Sequence, residues 1–268
     1  MRQSAIGLLG LAACVLGWRG EASIAGVHDL DGIVSVRIDL PSTPLSVVAC
    51  DPEALTGCPA QLRYAGRFLS TGGSARDAEN HAQQAALRFD RDAGLGSLHA
   101  ELPLAVRGLV ELEIEEIELP SDRDIELVTD RGDVEVFGAR RSVAVRTETG
   151  DVTIDGGDAG VAVDVDDGDV YVRSPGDVDL FGEQGAISMV QTGAPRRVHI
   201  RTGHGGVRLE LAASTDLDLD VRADGEIRVT TAALVVRTED RLRRTTGAGS
   251  IEVTIDAGGS VEIVERQP

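Results

Sequence analysis

The chain has 268 residues, of which 42% are apolar and only 3% aromatic, and its formal net charge is −19. This length and apolar content suit one large or two small globular domains whose core is built from aliphatic side chains. The charge excludes a nucleic-acid-binding protein, because phosphate binding requires clustered basic residues.

The N-terminus predicts export. A basic residue, Arg2, precedes an apolar stretch over residues 4–13, as in the core of a signal peptide. The quartet Leu11-Ala12-Ala13-Cys14 then resembles a bacterial lipobox, which implies that Cys14 is lipidated and begins the mature protein. The alternatives are ordinary secretion with cleavage after Ala25, and an uncleaved anchor. The predicted location is the cell envelope, as an outer-membrane lipoprotein, or alternatively a secreted or periplasmic one.

Two further cysteines predict a disulfide. Cys50 and Cys58 are separated by seven residues that include the turn formers Pro52 and Gly57. In an oxidising compartment such a pair is expected to be bonded. A zinc or redox site is the weaker alternative, because the spacing is not Cys-x-x-Cys.

The first half of the chain predicts four to six strands and one helix. The helix begins with the capping pattern Ser74-Ala75-Arg76-Asp77 and extends to about Leu87. The strands are predicted from apolar alternation, at residues 33–40, 45–49, 62–69, 98–104 and 109–119. We divide the chain into a signal segment (1–25), a β-rich segment with one helix (27–120) and a repeat segment (121–268) that shares a core with it.

The repeat segment is built from copies of one short sequence motif. In Gly150-Asp151-Val152-Thr153-Ile154 a turn leads directly into alternation, which places Val152 and Ile154 on one face and Thr153 on the other. Copies begin at residues 132, 168, 176, 205, 225 and 249. Threonine recurs three residues before several of these glycines, where its hydroxyl can bond turn backbone.

The period of the repeat indicates a solenoid rather than an antiparallel meander. Intervals of 18 residues separate Gly132, Gly150 and Gly168, and like residues at like positions suit coils that stack strand on strand. The predicted fold class is therefore all-β: a right-handed β-helix of roughly seven coils behind an N-terminal β-rich cap with one short helix. The shorter intervals to Gly176 and Gly185 predict half-coils that alternate between faces.

These repeats also carry a family resemblance. The stretch from Glu118-Leu119-Pro120 to Gly132-Asp133-Val134, continued by Thr147-Glu148-Thr149-Gly150-Asp151-Val152, is similar to the bacterial “putative adhesin” domains of unknown function. That family combines a leading strand ending in Leu-Pro or Val-Pro with repeated Thr-x-x-Gly-Asp-Val units. The resemblance covers residues 27–266 and implies a β-helix-like fold and an envelope location, but no reaction.

No catalytic set is visible, and neither an enzyme nor a cofactor is predicted. The histidines show no His-Glu-x-x-His spacing, and His199 is expected to face solvent on its strand. Phosphate-binding loops and nucleophile elbows are also missing from the sequence. The histidines in question are His28, His81, His99, His199 and His204.

Clustered carboxylates offer one metal hypothesis. Asp164, Asp166, Asp167 and Asp169 could bind calcium weakly, since that ion takes six to eight oxygen ligands in flexible geometry. Their spacing misses the EF-hand pattern by one residue. A solvated acidic face is the preferred interpretation.

The predicted function is that of a non-catalytic, exported envelope protein, either adhesin-like or a surface scaffold. It would bind an unknown macromolecule of the cell envelope through outward positions such as Glu135, Thr153 and Tyr171, and would contact the membrane through lipidated Cys14. The alternatives are a polysaccharide-acting β-helix enzyme that uses acidic residues, and a structural or regulatory envelope domain.

Overall fold

A computed structural model describes residues 17–52, 58–212 and 216–266. Within these ranges the chain forms 21 strands and one helix. The N-terminal elements are β1 Trp18–Asp29, β2 Ser35–Asp39, β3 Leu45–Cys50, β4 Gln61–Gly72, α1 Ala75–Gln84, β5 Ala86–Asp92, β6 Leu95–Glu101 and β7 Val110–Pro120. The repeat elements are β8 Asp124–Arg131, β9 Val134–Ala139, β10 Val143–Thr149, β11 Val152–Gly156, β12 Val161–Asp167, β13 Val170–Ser174, β14 Val178–Gln184, β15 Ile187–Gln191, β16 Arg197–His204, β17 Val207–Leu211, β18 Leu217–Thr230, β19 Val235–Thr245, β20 Ile251–Ala257 and β21 Val261–Glu265.

The repeat strands form two parallel ladders, which confirms the predicted solenoid. Strands β8, β10, β12, β14 and β16 stack in register to make a first face, and β9, β11, β13, β15 and β17 make a second. Equivalent residues pair directly, as in Val143 with Val161 and Val152 with Val170. The strands after Gly168, Gly176 and Gly185 alternate between the faces, as the short intervals predict.

The core is a column of aliphatic side chains between the two faces. Inward positions such as Val152, Ile154 and Leu180 are fully buried, while the residues between them face outward. One hydrophobic cluster runs from Leu30 to Ile263 and includes residues of both the N-terminal and the repeat segments. Each inward side chain packs on its counterpart one coil away, because strands in a sheet lie about 4.8 Å apart.

The corner glycines are required by both backbone angle and space. Gly150 has φ +140°, and a Cβ there would lie 2.3 Å from the carbonyl oxygen of Gly132. A Cβ at Gly168, where φ is +156°, would lie 2.1 Å from the carbonyl oxygen of Gly150. The coils therefore approach at this corner more closely than any side chain permits.

The order of layers at the two ends differs from the order in sequence. The layer β2/β3 lies between β6/β7 and β8/β9, and the last strands, β20 and β21, lie between β16/β17 and β18. Antiparallel strands close the stack: β4 pairs with β7, β1 with β4 and β5 with β6 at one end, and β19 pairs with β18 at the other. Because these edge strands are antiparallel and charged, a further coil cannot pair with them in the parallel arrangement of the repeat.

The predicted helix and disulfide are both present. The Asp77 backbone N–H donates to Ser74 Oγ (3.1 Å), which caps α1, and the helix buries Ala78 and Ala82 against the sheet. Cys50 and Cys58 form a disulfide with their Cα atoms 5.7 Å apart. Among the described residues, no helix has the length and apolar character needed to cross a membrane.

Three features of the N-terminal half differ from the prediction. The helix ends at Gln84 rather than near Leu87, because Ala85 is extended and leads into β5, whose pairing with β6 replaces helical hydrogen bonds. Strand β5 itself was not predicted. Strand β1 begins at Trp18, inside the predicted signal segment 1–25, and pairs with β4 over its whole length.

Candidate functional site

The Gly-Asp corner is structural. At each of three successive coils an aspartate carboxylate accepts a backbone N–H from the coil above it. Asp133 Oδ1 accepts from the Asp151 N–H (3.0 Å), Asp151 Oδ1 from the Asp169 N–H (2.8 Å), and Asp169 Oδ1 from the Ala186 N–H (2.8 Å). We call Asp133, Asp151 and Asp169 the aspartate ladder. It satisfies N–H groups that the turn removes from the ladder of backbone hydrogen bonds.

The recurrent threonines brace the same corner from inside. Thr129 Oγ1 donates to the Arg131 carbonyl (3.1 Å) and Thr147 Oγ1 to the Thr149 carbonyl (3.3 Å), and both side chains are buried. Their hydroxyls therefore serve the turn, as the repeat predicts, and leave no free group for chemistry.

Aspartates at the opposite corner make equivalent bonds. Asp124 Oδ1 accepts from the backbone N–H (3.2 Å) and the hydroxyl (2.7 Å) of Ser142. Burial alone would raise the pKa of Asp124, but hydrogen bonds from Ser142 and Arg141 outweigh it and lower the pKa. Asp177 Oδ1 likewise accepts from the Arg196 N–H (2.7 Å).

The four carboxylates considered for calcium are divided among different surroundings. Asp169 belongs to the aspartate ladder, and Asp164 lies 3.8 Å from the Arg146 guanidinium on the first face. Asp166 and Asp167 are exposed. Over the described residues, no three or more His, Cys, Asp or Glu side chains gather in a group that could hold a metal ion.

The histidines are placed apart. His199 Nδ1 contacts Asp179 Oδ1 (2.9 Å) on the first face, and His204 is exposed at the corner. His28 lies between the rings of Tyr64 and Phe89, at centroid distances of 5.8 and 4.6 Å, and burial lowers its pKa. That stack joins β1, β4 and β5, so His28 has a packing role in the N-terminal cap.

The second face presents the outward positions singled out from the sequence. Glu135, Thr153 and Tyr171 form one row on β9, β11 and β13, and Ser188 continues it on β15. Tyr171 is 40% exposed. Of these residues, Ser188 also lines a second depression, with a volume of about 570 Å³.

The first face contains a groove with a volume of about 880 Å³. Its floor is Ala144 and Ala162, which are neighbours in the row that contains Glu126 below them and Asp179 above. At this position two consecutive coils present only the methyl group of alanine, so the longer side chains on either side project further and form the walls of the groove. Three coil spacings, or about 14 Å, separate the two acidic walls.

A second row of the same strands forms one side of the groove. Arg146, Asp164, Phe181 and Arg201 occupy matching positions on β10, β12, β14 and β16. The Arg201 guanidinium lies 5.5 Å from the centre of the Phe181 ring, which holds the arginine over an apolar surface. The groove thus combines an apolar floor, one aromatic ring and several charged hydrogen-bonding groups.

The ion pairs in the groove are weak and accessible. Arg37 contacts Glu126 (2.9 Å) across β2 and β8, with about 40% of each side chain exposed. In the pair formed by Arg146 and Asp164, the arginine side chain is 76% exposed. Exposed pairs of this kind contribute at most about 1 kcal/mol, so a ligand can take over their hydrogen bonds at small cost.

Sequence analysis did not identify this groove. The available signal was the occurrence of alanine at two outward repeat positions, Ala144 and Ala162, where other coils carry Glu126, Asp179 or His199. This signal can be interpreted only when the register of the parallel strands is known, because the register brings together residues that are 17 to 20 positions apart in the sequence.

The chain is similar to one protein family and to two solved structures. The family model described as Toastrack DUF4097 matches residues 105–260, more than half of the chain. A crystal structure of “a putative adhesin” from Bacteroides fragilis NCTC 9343 has a TM-score of 0.50 and 13% identity, covering 90% of this chain and 97% of that one. For “a putative cell adhesion protein” from Clostridium sporogenes ATCC 15579 the TM-score is 0.33 and the identity 13%, with coverage of 92% and 100%. No protein of curated function matches the chain.

The aspartate ladder generates a prediction about stability. Asp151→Ala removes the acceptor of the Asp169 N–H and should lower the free energy of unfolding by about 1 kcal/mol. Asp151→Asn keeps an acceptor and removes repulsion from two like charges about 4.8 Å away, so it should leave stability unchanged or raise it. Urea unfolding of both variants at low and high salt measures the difference. An equal loss in both would show that the charge, rather than the acceptor, stabilises the corner.

Proposed function

We propose a function from one premise: the chain belongs to the Toastrack DUF4097 family. We infer that it is a non-catalytic, exported protein of the bacterial cell envelope whose solenoid presents an adhesin-like binding surface. The binding site is the groove of the first face, and its ligand is a macromolecule of the envelope.

The groove is the observation on which this proposal depends. Here Ala144 and Ala162 interrupt the outer surface of the first face between charged walls. Six carboxylates and three guanidiniums line it, so it repels polyanions and offers acceptors and donors to a neutral or basic chain. A groove that crosses successive coils suits an extended polymer better than a small compact ligand.

Three of the six carboxylates of the groove are paired with basic side chains. Glu126 and Asp164 face Arg37 and Arg146, and Asp179 faces His199. Such pairs suit the recognition of a polar ligand, which can exchange hydrogen bonds with either partner. The name of the Bacteroides fragilis protein, which shares the fold, agrees with an adhesin-like role.

We further propose that the protein is anchored through lipidated Cys14. This residue and the rest of the lipobox-like quartet lie outside the described residues. Strand β1 bears on the choice between the two processing sites, because cleavage after Ala25 would remove eight of its twelve residues. The removed part includes Gly20, which packs so closely on α1 that a Cβ there would lie 2.4 Å from the Ala78 carbonyl carbon. Processing at Cys14 leaves this packing intact.

Mass spectrometry of the protein isolated from its native envelope tests the proposed processing site and lipid anchor. The proposal predicts a mature chain that begins with Cys14 and carries a lipid mass on that residue. Cys14→Ser should abolish the lipid mass without lowering the melting temperature of the protein. A mature N-terminus at Gly26 would contradict the proposal.

A matched pair of variants tests the groove. Ala144→Arg fills the floor, whereas Thr153→Arg places the same side chain at an outward, half-buried position on the second face. Labelled protein is titrated onto isolated cell envelopes of the source bacterium. The first variant should weaken saturable binding by about tenfold, which is about 1.4 kcal/mol, and the second should bind like the wild type.

Other outcomes of this experiment identify the competing functions. Absence of saturable binding by the wild type would favour a structural or regulatory domain. Release of soluble saccharides from the envelopes, abolished by Asp164→Asn, would establish a polysaccharide-acting enzyme and overturn the proposal.

A further inference from the structure

We propose that a break in the aspartate ladder is a binding site for a ligand that carries two carboxylates. The ladder, Asp133, Asp151 and Asp169, occupies one corner in three successive coils. Ala186 and Gly206 occupy the same position in the next two coils, and we call them the ladder gap. The ligand places its carboxylates in the gap, where the protein supplies none. This site lies outside the groove of the first face, and the proposal does not depend on the groove.

The backbone of the corner continues unchanged through the ladder gap. Within the ladder, the Val152 N–H donates to the Asp169 carbonyl (2.9 Å) of the next coil. In the gap, the Ile187 N–H donates to the Gly206 carbonyl (3.0 Å) in the same way. The peptide groups of the gap are therefore oriented like those of the ladder, and their N–H groups project towards the preceding coil.

Two backbone N–H groups point into the gap. The Gly206 N–H projects towards Ala186, and the Ser260 N–H of the following coil projects towards Gly206. In the ladder, the equivalent N–H groups donate to carboxylates at 2.8–3.0 Å. Because alanine and glycine side chains contain no acceptor, neither N–H has a hydrogen-bond partner among the described residues. Both are left to solvent or to a ligand, and a carboxylate is the acceptor that this peptide geometry already holds elsewhere in the chain.

The stacking of coils does not require the gap. A Cβ at Gly150 or Gly168 would lie within 2.3 Å of a backbone oxygen, whereas a Cβ at Gly206 would meet only the Ser260 carbonyl oxygen, at 3.2 Å. Gly206 also does not have a positive φ, and Ala186 is exposed. The corner can therefore accommodate an aspartate at position 186, as it does in the three preceding coils. The small residues leave space at this position instead.

The ladder gap opens into the second depression, whose volume is about 570 Å³. Ala186, Gly206 and Ser260 line it on the side of the corner, and Ser188 lines it on the second face. The hydroxyl groups of Ser188 and Ser260 have no hydrogen-bond partner among the described residues, so both can donate to a ligand. The two gap positions are one strand spacing apart, about 4.8 Å, which sets the distance between the two carboxylates of the ligand.

The charges that line the depression are balanced. Arg208 pairs with Glu262 and also with Glu210 (3.0 Å), and Arg228 pairs with Glu226 (3.3 Å). The two arginine side chains are 49% and 51% exposed, so either guanidinium can turn to a bound carboxylate at little cost. A corner that already holds three carboxylates about 4.8 Å apart can hold a further one beside these arginines.

Amide resonances report occupation of the ladder gap directly. Protein that is labelled with ¹⁵N and contains every described residue is titrated with glutarate, acetate or inorganic phosphate at constant ionic strength. Extended glutarate separates its two carboxylates by about one strand spacing. We expect saturable downfield shifts of the Gly206 and Ser260 amide protons with glutarate. Acetate should need an about tenfold higher concentration for half-saturation, because it occupies one position at a time.

A matched pair of variants shows whether the ligand replaces a missing aspartate. Ala186→Asp supplies the acceptor from the chain itself, so the Gly206 amide proton should be shifted downfield without ligand and should no longer respond to glutarate. Ala159→Asp adds the same charge at an exposed position of the opposite corner and should leave the titration unchanged. Melting temperatures confirm that both variants are folded.

The titration of the wild type decides the proposal even if a variant fails to fold. Absence of a saturable shift with glutarate would show that only solvent occupies the gap and would overturn the inference. Equal affinity for phosphate and glutarate would overturn the assignment to a pair of carboxylates. Ala144→Arg, which fills the groove, should leave these shifts unchanged, so the two sites are tested separately.

Discussion

The structure depends on the direct stacking of coils in register. Because adjacent strands in a sheet lie about 4.8 Å apart, each coil must offer the same shape at the same position as its neighbours. This requirement explains Gly150 and Gly168 at a corner too tight for any side chain, and the inward valines that pack on their own copies. It also explains why the motif carries aspartate, since the carboxylate receives an N–H that points along the axis and has no carbonyl to meet. The Gly-Asp motif therefore allows the coils to stack and is not a binding or catalytic site.

Stacking divides the residues between architecture and function. Inward positions and corners are fixed by neighbouring coils, whereas outward positions are free to vary from one coil to the next. The groove exists because Ala144 and Ala162 use that freedom in two consecutive coils, next to Phe181 and Arg201. The same division applies to the ends, where β1 and β19 stop the stacking, and the exposed Trp18 and Val235 lie on strands that have no further coil to support.

The regular part of this fold could be predicted from sequence, and the irregular part could not. Alternation around Val152 and Ile154, the positive φ of Gly150 and the interval to Gly168 were sufficient to predict parallel coils and their inward rows. The insertion of β2/β3 and of β20/β21 one layer inside the ends was not, because it depends on pairings between distant segments. Strand β1 was assigned to the signal segment, because an apolar stretch directly after a signal-like sequence resembles part of it. The groove was not predicted because the two alanines are informative only once their neighbours one coil away are known to carry longer side chains.

Photo-crosslinking in living cells tests most directly whether the first face is the binding surface. A small diazirine side chain is placed at Asp166, on the rim of the groove, or at Glu135, an exposed position on the second face. The account predicts that a discrete covalent adduct to an envelope macromolecule forms from position 166 and is absent from position 135, with equal amounts of folded protein in both cases. Adducts that form from position 135 and not from position 166 would contradict it.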